Sequence, residues 1–160
     1  MGGEANALVE KETLVVGIGN PIRGDDGVAW RVVEALQRDA RWRNGVEFLQ
    51  AHQLLIEFAE SIAAYRRVLF IDAHTATLDV PVRVERLGAG ADASPSTHHF
   101  SPAALLRLAY QLYGAEPEAW LVSVRAVDFS VGEHLSPEAE AAAEAAIEQV
   151  RALLAAPTTK

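Results

Sequence analysis

The chain is 160 residues long with a formal net charge of −8, half of it hydrophobic, and it contains no cysteine. That length fits one compact domain, and the negative field argues against nucleic acid as a partner. Without cysteine there are no disulfides, thiolate nucleophiles or sulfur ligands, so any metal contact must use nitrogen and oxygen. No segment approaches the roughly 20 apolar residues needed to cross a bilayer, which predicts a cytoplasmic protein with no membrane partner.

Residues 1–12 read as a disordered tail, 13–155 as a single α/β domain and 156–160 as a frayed end. The β-rich run at 13–18 predicts a buried strand, stopped by Gly19-Asn20-Pro21. From Asp25 the apolar positions Val28, Val32, Val33 and Leu36 predict an amphipathic helix to about residue 41, with acids suited to its positive end. A second strand is expected at 46–49, a helix at 54–65 and a third strand at 67–72. Alternation at Val80, Val82 and Val84 marks a more exposed edge strand over 80–87.

Residues 88–97, rich in small residues, read as a loop, 102–113 as a helix and 120–127 as a strand. Ser136-Pro137 opens a last helix reaching about residue 155. Strands alternating with helices predict one three-layer domain: a twisted, mostly parallel sheet of about five strands with helices on both faces. Sites in such sheets gather at the carboxyl ends of the strands. The loop after Ile18, the segment after the second strand and Asp72 all lie there.

Gly17-Ile18-Gly19 starts like a dinucleotide fingerprint, but the third glycine would fall at Ile22, and two carboxylates at the helix start would repel phosphate. The loop instead presents Asp25 and Asp26, consecutive residues that point in different directions, so one is expected to cap the helix and the other to face a cleft. Asp72 follows Val-Leu-Phe-Ile directly, where a strand leaves the core. Five histidines occur, at 52, 74, 98, 99 and 134. One from the pair His98-His99 could join two acids in an O,O,N set suited to nickel, zinc, manganese or iron; an ordinary loop pair is the plain alternative. His52-Gln53 could line the same rim or serve only as a turn. No serine sits in a G-x-S-x-G turn, and there is no H-E-x-x-H helix.

The run Leu14-Val15-Val16-Gly17-Ile18-Gly19-Asn20-Pro21-Ile22-Arg23-Gly24-Asp25-Asp26-Gly27-Val28 resembles the opening signature of the hydrogenase maturation proteases. Phe70-Ile71-Asp72-Ala73, Ser96-Thr97-His98-His99-Phe100-Ser101-Pro102 and Gly132-Glu133-His134-Leu135-Ser136-Pro137 extend the likeness over nearly the whole chain. The resemblance implies an endopeptidase that removes the C-terminal extension from the nickel-loaded precursor of a nickel-iron hydrogenase large subunit. It implies metal contacts at Asp26, Asp72 and His98, with His99 as the alternative. The nickel would come with the precursor, and no organic cofactor is implied. Asp25 stands as a tentative base beside Asp26 and Asp72. Asp26 replaces the Glu of many members, and Gln50-Ala51-His52-Gln53-Leu54 replaces their Asp-Gly-Gly-Thr. A non-catalytic module that checks nickel loading during hydrogenase assembly is the rival reading.

Overall fold

A computed structural model describes residues 11–74, 79–88 and 100–159. His98 and His99 lie outside the described residues. The elements run β1 (Lys11–Ile18), α1 (Val28–Gln37), β2 (Val46–Ala51), α2 (Phe58–Ala63), β3 (Tyr65–His74), β4 (Val82–Leu87), α3 (Pro102–Tyr113), β5 (Glu118–Arg125) and α4 (Pro137–Ala155). A 3-10 turn at Gly24–Gly27 leads into α1 and another, Ala40–Trp42, follows it.

The five strands form one sheet in the order β2-β1-β3-β5-β4. The β1–β2, β1–β3 and β3–β5 pairs are parallel, and only the edge strand β4 is antiparallel to β5. Side chains alternate between faces, so each strand feeds two cores. Val15, Leu69, Ile71, Val122 and Val124 pack with α1 and α4. Leu14, Val16, Ile18, Val68, Phe70 and Ala119 form the other core, with residues of α2 and α3. This is the expected three-layer arrangement. The central strand β3 is almost wholly buried, matching its unbroken apolar run.

Several boundaries differ from the sequence reading. β1 begins at Lys11, inside the stretch read as a tail, because Lys11 pairs with Tyr65 of β3. α1 stops at Gln37, and Asp39 caps the separate short turn by accepting from the Arg41 backbone. α2 is only six residues, since the chain from Leu54 first makes turns through Phe58 N to Leu55 O and Ala59 N to Ile56 O.

The C-terminal residues are held as far as 159, where fraying was expected. The buried Arg67 guanidinium donates to the carbonyls of Leu153 at 2.8 Å and Ala156 at 2.7 Å, satisfying groups that the end of α4 leaves open. It also reaches Thr13 Oγ1 at 3.2 Å, joining β1, β3 and α4. Glu118 accepts from the Thr159 backbone at 2.7 Å and from Trp120 Nε1 at 2.7 Å.

Candidate active site

From β1 the chain crosses by α1 to β2 on one side, then returns by α2 to β3 on the other. The strand order therefore switches between β1 and β3, where a parallel sheet leaves a crevice beyond its carboxyl ends. A cleft of about 470 Å³ lies there, lined by Ile18, Gly19, Asp26, Asp72, Ala73, the post-β2 residues 52–54 and residues 100–102 at the entry of α3.

Asp72 reaches it by strand periodicity. Val68 and Phe70 point into the core shared with α2 and α3, and Asp72 continues the same face, paired across to Ile18 of β1. It thus stands where the next apolar side chain of that core would be. Burial raises its carboxyl from 3.8 to about 7, against the lowering effect of the Ala73 backbone N–H, and the charge of Asp26 adds to the rise.

Asp26 comes from the loop after β1. Its Oδ2 accepts from the Asn20 N–H at 2.8 Å, which closes the loop on itself and orients the half-buried carboxyl toward the cleft. Gly19 makes this possible. Its φ is 155°, and a Cβ there would lie 1.9 Å from the Asp26 carbonyl oxygen, so only glycine lets the two backbones approach so closely.

Asp25 turns the other way, which removes it as the tentative base. It is fully buried and its carboxylate is filled: Oδ2 accepts from Val127 N at 2.8 Å, Asp128 N at 2.9 Å and the Ser136 hydroxyl at 2.7 Å, and Oδ1 from Ser136 N at 2.7 Å. Burial alone would raise this carboxyl, but the Ser136, Val127 and Asp128 hydrogen bonds outweigh it and hold Asp25 below its ordinary range. Nor does either acid cap its own helix. Asp25 instead braces the residue that caps α4, since the Ser136 hydroxyl accepts from Ala139 N. Gly24, at φ 57°, completes the seam by donating to the Gly132 carbonyl, and Gly132 N donates to Ile22 O.

His52 and Gln53, ambiguous in sequence, do line the cleft. The His52 ring stands 5.3 Å from that of Trp30, whose Nε1 donates to Ala51 O, so α1 anchors the chain leaving β2. Phe100, Ser101 and Pro102 form the opposite wall and were not anticipated as site residues. Their sequence signal is a helix start: Ser101 caps α3 by accepting from Ala104 N, and Phe100 N donates to Leu54 O.

Ser130, Asp128 and His134 gather outside the cleft with the residue types of a nucleophile triad, but in the wrong order. Asp128 lies between them, accepting from Ser130 Oγ at 2.7 Å and standing 3.7 Å from His134 Nε2, whereas a triad needs the histidine between acid and serine. Among the described residues no three His, Asp or Glu side chains stand together as a metal-holding group. The two acids of the cleft are therefore the principal chemistry on view.

No family model and no curated protein matches the sequence. Solved structures do match. The hydrogenase maturating endopeptidase HybD from E. coli is 26% identical over 89% of this chain and 91% of that one, with a TM-score of 0.72. The hydrogenase 2 maturation peptidase from a Thaumarchaeota archaeon is 25% identical over 91% and 99%, with a TM-score of 0.69. The [NiFe] hydrogenase maturation protease HycI from Thermococcus kodakarensis, 21% identical over 91% and 93% with a TM-score of 0.70, shares the fold.

Fold, cleft and these likenesses define a single α/β domain with the activity of a peptidase. In sequence and fold the chain is similar to hydrogenase maturation endopeptidases over about nine-tenths of its length.

Proposed function

We propose that the protein is the cytoplasmic endopeptidase that trims the C-terminal extension from the nickel-loaded precursor of a nickel-iron hydrogenase large subunit, and that it reads the nickel through Asp26, Asp72 and His98. The observation that carries this reading is the convergence of Asp26, from the loop after β1, and Asp72, near the end of the adjacent strand β3, on one cleft. Asp72 is kept there although its surroundings disfavour its charge. A cation brought into the cleft reverses that disfavour, since it stabilises both carboxylates. Hard oxygen donors with one imidazole suit a divalent first-row metal held also by its carrier.

His98 follows from the resemblance and from chain order: Phe100, two residues on, forms part of the cleft wall. His99 is the alternative third donor. The precursor's nickel docks on the acids, and the bond to be cut comes to lie in the cleft beside them. Asp26→Ala and His98→Ala should fold normally yet leave a nickel-loaded precursor uncut. Normal processing by both would overturn the assignment. Nickel-dependent association of the wild-type protein without any cleavage would favour a checkpoint module instead.

A further inference from the structure

β2 is an edge strand, and among the described residues it pairs only with β1. In a parallel ladder the N–H and C=O of one residue point the same way, and those of the next residue the opposite way. The direction here is fixed at both ends of the strand: Gly45 O accepts from Thr13 N, and Ala51 O accepts from Gly19 N, both toward β1. Glu47 and Leu49 therefore also face β1, while Val46, Phe48 and Gln50 turn their backbone groups outward. This edge carries neither proline nor a lysine along Val46–Ala51, the usual devices for blunting it. It runs straight into the cleft, because the next residues, His52, Gln53 and Leu54, form part of the cleft wall.

We propose that the outward edge of β2 is the docking rail for the substrate polypeptide, which adds as a sixth strand and is delivered by it to Asp26 and Asp72. This rests on the peptidase reading above. A peptidase must hold its substrate extended at the scissile bond, and strand addition does so through main-chain hydrogen bonds that tolerate many side chains. Three outward residues offer three N–H donors and three C=O acceptors. The other edge, β4, lies beyond β3 and β5 from the β1–β3 crevice, so a strand added there would miss the acids.

Residue-resolved amide exchange of the whole protein tests the rail. In the free enzyme the amides of Phe48 and Gln50 should exchange much faster than those of Glu47, Leu49 and Ala51. Adding excess nickel-loaded precursor, made uncleavable by substitution at its own scissile bond, to the wild-type enzyme should slow Phe48 and Gln50 at least about tenfold. Unchanged exchange at both in the presence of excess precursor overturns the proposal. A kinetic arm uses Gln50→Pro, which removes an outward N–H while sparing the β1 ladder, against Gln50→Ala, which removes only the side chain and its bonds to Trp30 and Glu34. KM for precursor should rise at least about fivefold for the proline variant over the alanine variant, with kcat little altered. Equal KM values for two folded variants that both cleave would refute the rail while leaving the peptidase assignment standing. Failure of the wild-type enzyme to cleave would strike the assignment, with the exchange arm still deciding where the precursor docks.

Discussion

Replacing Asp72 with Asn isolates the energetic strain of the site from its chemistry. Asn has nearly the same shape, can still accept from the Ala73 N–H, and carries no charge. In the folded protein the Asp72 carboxyl is raised from 3.8 to about 7, so the native state keeps a proton that the unfolded chain releases. A group with a raised folded pKa of this acidic kind does not weaken the fold below its unfolded value. It weakens the fold progressively as pH climbs from about 4 to 7 and fully above that. The full penalty is roughly 4 kcal/mol at one pKa unit per 1.36 kcal/mol, an upper bound because the cleft admits water. Of this, roughly 2 kcal/mol or more should develop between pH 5 and pH 8. Urea unfolding of both proteins at those two pH values, at constant ionic strength, measures it. The stability of Asp72→Asn relative to wild type should increase by that amount on going to pH 8, while precursor processing is lost. A difference that is the same at both pH values would refute the argument that burial and Asp26 disfavour the ionised carboxylate.

Asp25→Ala removes four hydrogen bonds and leaves the Ser136, Val127 and Asp128 donors unpaired; it should cost about 3–5 kcal/mol in chemical unfolding. Because its folded pKa is lowered, the contribution of Asp25 is present above pH 4 and disappears as pH falls through the folded value, so wild type and variant should converge in acid. Gly19→Ala forces a Cβ against the Asp26 carbonyl and should lower the unfolding midpoint and abolish processing together, whereas a stable, active variant would contradict the close approach. Arg67→Ala frees the end of α4 and should destabilise by about 2–4 kcal/mol, with residues 156–159 becoming sensitive to carboxypeptidase.

Residue patterns along the chain were enough to lay out the architecture and half of the site. The unbroken apolar run before Asp72 marked a buried strand with an acid at its carboxyl end, and short apolar runs separated by helical ones imply a parallel sheet whose strand ends converge. Local chemistry likewise announced the caps at Ser101 and Ser136. The choice between Asp25 and Asp26 needed long-range contacts, because neighbouring acids on one turn look alike until their partners are known. Those partners lie more than a hundred residues away for Asp25 and six residues away for Asp26. The same limit applies to His52, whose place in the cleft depends on α1 anchoring the end of β2, and to the C-terminal residues, whose order depends on a buried Arg67 from another strand. Periodicity reports which face a residue takes within its own element. Which elements meet, and which polar groups they leave for chemistry, is settled when the sheet closes its layers and every buried donor finds its acceptor.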